Sequence, residues 1–322
     1  MEVKPIDYRY VILFIRRCLD MHAWEQIQIT IDYIEEHLSE EIKIAALAKL
    51  ASLSQFYYQR LFSRLVKKPV NEYIKLRRLA KASEGLQDNN ERILDIALDF
   101  GFSSHETFTR AFKDAFGMTP EEYRTNPVRL NHFVKPQLLL NYTLVDENVP
   151  LVSDGIVLEI TQRNISSPQY FIGLILEEPI DQMPGSGNTG VDALGKLWDI
   201  FHESKPTIEG LKEGGDELGV TYMGTKDGYY RYFAGAEASS NEEVLGFSSW
   251  ELPKGEYIVC SFEAEDFEHL VMDAIYKAHK YMFETWLPNH KLISKPFAIE
   301  RYTNHSPDTT SMEVWVMPIP EE

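Results

Sequence analysis

The sequence predicts a multidomain chain: an all-α domain carrying two helix-turn-helix units, followed by an α+β domain built on an antiparallel sheet. Three observations lead there. Apolar residues recur at helical spacing from Trp24 to about Arg124, and from about Gly155 the period falls to roughly two. A helix, a tight turn and a second helix occur twice in the first half. In the second half, the order strand, helix, strand, strand also occurs twice, which predicts a duplicated module.

The boundaries follow from these patterns. Residues 1–23 form an N-terminal extension, in which 11–19 has the spacing of an extra helix. Residues 24–125 form the helical domain, and Asn126-Pro127 breaks it because the residue before proline avoids helix. Residues 126–154 read as a linker and 155–322 as the α+β domain. Strands are predicted at 156–160, 170–176, 218–223, 229–234, 257–262, 297–302 and 312–317. Helices are predicted at about 191–202 and 267–286, and the glycine-rich stretches 185–190 and 209–215 read as loops.

Composition excludes several classes. A hydrophobic content of 44% supports true cores in a chain of 322 residues and argues against long-range disorder. The two cysteines, Cys18 and Cys260, have no partnered spacing, so no disulfide framework or zinc site is expected and a reducing, cytoplasmic setting is. The apolar run 10–15 is too short to span a bilayer. The net charge of −18 is divided unevenly. Residues 1–125 hold 18 Lys/Arg and 19 Asp/Glu, whereas 126–322 hold 14 and 31. Within 43–113 there are 13 basic and 7 acidic side chains, a net of +6. A locally basic helical segment is what phosphate neutralisation requires, whatever the total charge.

In the first unit, Ala48 and Ala51 let a second helix cross closely, and Ser54 is a good N-cap for it. On that helix Tyr58, Leu61, Phe62 and Leu65 form the inward stripe, while Gln55, Phe56, Gln59 and Arg60 project from the other side. Gln pairs with adenine and Arg with guanine in the major groove. The second unit has Ile93–Phe100 as its first helix, Gly101-Phe102-Ser103 as the turn, and a second helix opening near Ser104. The segment joining the units, 70–87, is helical and basic, with Lys75, Arg77, Arg78 and Lys81. Two recognition helices on one linker helix suit successive major grooves, about 34 Å apart.

These residues carry a resemblance. Leu47-Ala48, Ala51, Ser54, Arg60-Leu61-Phe62, Tyr73-Ile74, Arg77-Arg78 and Ala80 resemble the DNA-binding domain of the AraC/XylS family. Ile93 to Ala97, Gly101-Phe102-Ser103, Phe108, Arg110, Phe112-Lys113, Phe116-Gly117, Thr119-Pro120 and Tyr123-Arg124 match it further. The resemblance implies double-stranded DNA as partner and a transcription regulator as function, an activator that recruits RNA polymerase. It implies that Phe56, Gln59 and Arg60 face bases in the first unit, and His105, Glu106, Thr109 and Arg110 in the second. One departure stands out: the family often has a glycine near the end of the first recognition helix, where this chain has Val66-Lys67-Lys68-Pro69. Two units in one chain remove the need for a dimer, so monomer and homodimer both remain open.

Residues 155–320 resemble the GyrI-like effector-binding domain, on Glu251–Tyr257, Thr285-Trp286-Leu287-Pro288, Phe297–Tyr302 and Met312–Ile319. Alternation places Ala298, Glu300 and Tyr302 on one face, and a carboxylate on a partly apolar face is costly unless paired or solvated. The resemblance puts Glu300 in a pocket that takes hydrophobic or cationic small molecules, with Tyr230, Tyr257, Trp286 and Tyr302 as aromatic partners. Glu313 on the closing strand is the rival carboxylate, and Arg301 a possible partner for Glu300. No cofactor or metal is expected. Two other readings stay open: a hydrolase opening cyclopropane-bearing genotoxins, for which Glu300 and Trp286 are the candidates, and a module that sequesters a ligand.

Overall fold

A computed structural model describes residues 22–321 except 88–90, 154, 185–186, 243 and 304–309. The expected helix at 11–19 and Cys18 lie outside the described residues.

The helical half runs α1 (Ala23–Glu36), α2 (Ile44–Leu50), α3 (Gln55–Val66), α4 (Val70–Gly85), α5 (Ile93–Asp99), α6 (His105–Phe116) and α7 (Pro120–Thr125). It holds two small cores rather than one. The first gathers Ile27, Ile31 and Ile34 of α1 with Leu47, Tyr58, Phe62 and Tyr73. The second gathers Leu79, Ile93, Ile96, Phe108, Phe112, Phe116 and Tyr123. Helix α4 contributes to both and so holds the units in one frame. On α3 the buried positions are Tyr58, Phe62 and Val66, with Leu61 and Leu65 only half-buried. The inward stripe therefore closes on Val66, one turn after Phe62.

The stretch expected to be a linker is instead part of the packing. Strand β1 (Leu130–Asn131) and helix α8 (Leu138–Tyr142) lie within it. Leu130 enters the second helical core, Phe133 and Leu138 the first, and Leu140 the core of the following domain. We refer to residues 129–141 as the strap. Its Leu138 N–H donates to Gln28 Oε1 at 2.8 Å, and Lys135 pairs with Asp32 at 2.9 Å.

The second half contains β2 (Leu151–Ser153), β3 (Ile156–Ile165), β4 (Gln169–Pro179), β5 (Gly190–Val191), α9 (Ala193–Ser204), β6 (Glu217–Met223), β7 (Tyr229–Ala238), β8 (Ser248–Leu252) and β9 (Gly255–Glu263). A long helix, α10, covers 267–289 and includes two π-helical stretches, Leu270–Ala274 and Tyr281–Trp286. Strands β10 (Leu292–Ser294), β11 (Phe297–Tyr302), β12 (Ser311–Val316) and β13 (Pro318–Pro320) close the chain. The duplication is visible as β4-α9-β6-β7 and β9-α10-β11-β12. Each module's first strand pairs with its last, and the two modules join edge to edge through β11 and β6. The sheet order is β2-β3-β9-β12-β11-β6-β7-β4-β8.

One short connection shows how this sheet bends. Strands β3 and β4 stand six places apart in the order, about 29 Å in a flat sheet. Residues 166–168 span at most about 14 Å. The sheet therefore curls until those ends meet, and Phe171, Val220, Phe233, Tyr257, Ile299 and Trp315 fill the inside of the curl. Helices α9 and α10 lie on the other face, α9 over β4 and β7, α10 over β9 and β12. A groove is left between them above the central pair β11 and β6.

Candidate functional site

Two regions bring chemistry together: the outer face of α3 and α6, and the groove between α9 and α10.

Both helices of the first region start on serine caps. Ser54 accepts from Tyr57 N–H, and Ser104 from Thr107 N–H, satisfying donors that a helix start leaves orphaned. The preceding turns each use a left-handed residue, Ser52 (φ 55°) and Gly101 (φ 71°). The helix ends also match, with Lys67 at φ 61° and Gly117 at φ 76°. The exit of the first recognition helix thus keeps the glycine-like turn even though lysine occupies it. Gln55, Phe56, Gln59 and Arg60 are exposed on α3, and His105, Glu106 and Arg110 on α6. Phe56 is 69% exposed, which nothing in core packing explains; Tyr57 beside it, at 64%, was missed in the sequence pattern. Thr109 sits differently: it is half-buried, and its hydroxyl oxygen is shielded without a partner among the described residues. Hydrogen bonds from Ser104 and from its own backbone hold the Glu106 carboxyl below the usual range, so it stays an acceptor.

Two basic residues of α4 are committed elsewhere. Arg77 grips Glu35 through Nε (2.9 Å to Oε1) and Nη2 (2.8 Å to Oε2), while its Nη1 donates to Phe133 O at 2.7 Å. Tyr73 donates to the same carboxylate at 2.6 Å. Burial disfavours the charge on Arg77, but the Glu35 bonds outweigh it and raise its pKa. Arg78 donates to Leu38 O at 2.9 Å and Glu40 O at 2.6 Å, with Gly101 O at 3.5 Å. A Cβ at Gly101 would meet that guanidinium at 2.8 Å. These arginines brace the two units rather than add to the basic surface.

The second region is a cavity of about 640 Å³, within the usual range for small-molecule sites. At its base, Glu300 Oε2 accepts from Tyr232 at 2.5 Å and from Tyr302 at 3.3 Å. Trp198 Nε1 of α9 donates to the Tyr232 oxygen at 3.1 Å. Glu300 Oε1 faces His279 Nε2 at 3.8 Å. Burial, then the nearby Glu300 charge, pushes both phenols well above their ordinary pKa, so they remain donors. Across the β11–β6 ladder Glu300 faces Gly219. A Cβ there would lie 2.9 Å from Glu300 Oε2 and would overlap the Tyr232 hydroxyl, so the cradle requires glycine.

Of the aromatics expected with Glu300, Tyr230 and Tyr302 line the cavity and Tyr257 and Trp286 do not. Tyr257 points into the curl of the sheet, packs at a tilt against Trp315 with ring centroids 5.6 Å apart, and donates to Pro253 O at 2.7 Å. Trp286 is buried in the core under α10, with its indole N–H on Val145 O at 3.2 Å. Glu300 and Trp286 are thus not brought together. Glu313 lies on the far face, bound by Arg163 (3.2 Å from Nη1), Trp315 Nε1 (2.8 Å) and Ser261. Arg301 turns from Glu300 to Asp216 (2.6 Å) and the Trp315 ring, as strand alternation requires. The sequence reading missed Trp198, Tyr232, Tyr276, His279 and Gly219. The glycine inside a strand pattern was the one available signal.

Helix α10 supplies two cavity-facing ladders at every fourth residue: Phe267, Val271, Ile275, His279 and Phe283, and Met272, Tyr276, Lys280 and Glu284. In a pure α-helix such a ladder drifts by about 40° per step. The wider π turns take that drift back and keep both ladders on the cavity. No helix among the described residues is long and apolar enough to cross a membrane, and none of them cluster as metal ligands.

Residues 47–126 match the family described as a helix-turn-helix domain, and residues 181–318 the GyrI-like small molecule binding domain. Regulatory protein SoxS of Salmonella typhimurium is 39% identical over 98 residues, which are 30% of this chain and 92% of SoxS. This chain belongs to the AraC family of helix-turn-helix transcription regulators. The uncharacterized HTH-type transcriptional regulator YbfP of Bacillus subtilis is 43% identical over 105 residues, 33% of this chain and 36% of YbfP. The right origin-binding protein of Escherichia coli K12 is 34% identical over 131 residues, 40% of this chain and 45% of that one. The match thus spans less than half the length of these last two relatives.

Proposed function

We propose that this chain is a transcription regulator whose two recognition helices read adjacent major-groove segments and whose Glu300 cavity takes a hydrophobic cation as effector. The base-facing set is Gln55, Phe56, Gln59, Arg60, His105, Glu106 and Arg110, with Thr109 offering its methyl group rather than its shielded hydroxyl. By the family's habit, the output is activation through RNA polymerase in the cytoplasm.

The observation that carries the effector reading is the carboxylate itself. Glu300 is 13% exposed; among the described residues its hydrogen bonds come from two phenols, and the one basic ring beside it, His279, stands 3.8 Å away, beyond hydrogen-bond reach. A charge held this way gains from a cationic guest that also stacks on the surrounding rings. The acidic half of the chain raises the local concentration of such guests. The test is calorimetric titration of the full chain with tetraphenylphosphonium and with neutral triphenylphosphine oxide. Glu300→Gln should weaken the cation at least tenfold more than the neutral compound. Equal weakening would mean a damaged cavity, and unchanged binding of the cation would place its site elsewhere.

A further inference from the structure

The cavity is not confined to the GyrI-like domain. One wall is the strap, through His132, Phe133 and Lys135, and the Lys67 turn that ends the first recognition helix also reaches it. Phe133 faces both ways. It lines the cavity and also belongs to the first helical core, against Tyr73 at 5.9 Å between ring centroids. Tyr73 bonds Glu35, Glu35 is gripped by Arg77, and Arg77 returns to the Phe133 carbonyl. The loop of contacts closes on the strap.

The other end of the strap is fixed to the second unit and to the effector side at once. Leu130 is in the second helical core, and β1 pairs with β5 through Leu130–Val191 and Asn131–Gly190. Thr189 donates to Ala115 O of α6 at 2.7 Å, and Arg129 pairs with Asp199 of α9 at 3.0 Å. Directly after β5, Asp192 caps α9, the helix that carries Trp198 to the base of the cavity. Between these anchors, the His132 Nδ1 is buried with no partner among the described residues, and its Nε2 reaches Ser83 Oγ only at 3.5 Å. The middle of the strap is the least satisfied part of it.

We propose that the effector binds in a composite site shared by both domains, with Phe133 as a contact residue, and that the strap converts occupancy into a change in the separation of the two recognition helices. This rests on the reading of the Glu300 cavity as the effector site. An occupant held between Glu300 and Phe133 touches a segment that, like α4, is packed into both helix-turn-helix cores. Coupling of this kind is reciprocal, so DNA spanning both units changes effector affinity by the same factor.

The experiment uses the full chain with Cys18→Ser, Arg64→Cys and Lys113→Cys, spin-labelled on α3 and α6; Cys260 is buried. The label separation is measured by pulsed electron resonance with and without saturating tetraphenylphosphonium, and binding by calorimetry on the same samples. The expected result is a shifted separation on binding. Phe133→Ala should weaken the probe several-fold and abolish the shift at saturation. Phe133→Leu, which keeps the core filled, should reduce the shift. Heat of binding without a shift in the parent chain would overturn the inference while leaving the effector site intact. A full shift in both Phe133 variants would also overturn it, by removing the strap from the path. Absence of any binding heat would remove the effector-site reading, and this inference with it.

Discussion

Replacing Arg77 by alanine tests whether the helical half is held by the brace described above. Both side chains of the Glu35–Arg77 pair are 14% exposed, so solvent screens them little. Removing one partner of a buried pair costs about 3–5 kcal/mol, because the other charge stays desolvated. Tyr73 would still donate to Glu35, which pulls the figure towards the lower end. The Phe133 carbonyl would lose its donor, which adds about 1 kcal/mol. A loss of about 3–4 kcal/mol follows, a large part of the 5–15 kcal/mol typical of a domain. The assay is chemical denaturation of the full chain followed by far-ultraviolet circular dichroism, on Arg77→Ala, Glu35→Gln and the double variant. The double variant should lose much less than the sum of the singles. Additive losses, or a loss under about 1 kcal/mol for Arg77→Ala, would refute the claim that this pair braces the fold.

Three further outcomes are expected. Arg60→Ala and Arg110→Ala should each cost about 1–3 kcal/mol of affinity for a selected duplex and far less for a scrambled one, at fixed salt; equal losses would mean phosphate contacts. Lys67→Gly should stabilise the chain by up to about 1 kcal/mol, since a Cβ in the left-handed region is strained, less the greater freedom glycine gains when unfolded; a lower melting temperature would show that the lysine side chain matters more than its backbone. Burial, helped by Arg77 and Lys81, lowers the His132 pKa to about 4. The unfolded chain then binds the proton first, so stability is full above about pH 6.5 and falls towards pH 4, by up to about 3 kcal/mol. His132→Gln should flatten that stretch of the stability profile, and an unchanged slope would assign it to other groups.

The sequence disclosed the elements whose periodicity is unbroken. The seven expected strands all fall on observed ones, and the caps at Ser54 and Ser104 lie where the residue types indicated. Strand alternation put Ala298, Glu300 and Tyr302 on one face, and all three line the cavity, whereas Arg301 and Glu313, left open as partner and rival, bond Asp216 and Arg163 instead. What it hid depends on contacts between distant segments. Tyr257 and Trp286 are aromatic and near Glu300 in the motif order, but the sheet's curl takes one and the core under α10 takes the other. The cavity face of α10 follows a four-residue repeat that only the π turns make straight, so a 3.6-residue reading misassigns it. Tyr232 looked like one of several strand tyrosines; Gly219, on the neighbouring strand β6, makes room for its hydroxyl. The strap has Pro136 and few periodic residues, which is why it read as a linker although Leu130, Phe133, Leu138 and Leu140 are all buried.

That last feature governs the order of folding during synthesis. The chain emerges from its N-terminus, and α1 to α7 appear first. At that moment Phe62 and Tyr73 face a gap that Phe133 and Leu138 have yet to fill. The groove-reading half therefore cannot reach its final packing until the residues joining it to the effector half have also been made. A product truncated after Thr125 would carry all the side chains proposed to face bases, on helices whose first core lacks Phe133 and Leu138.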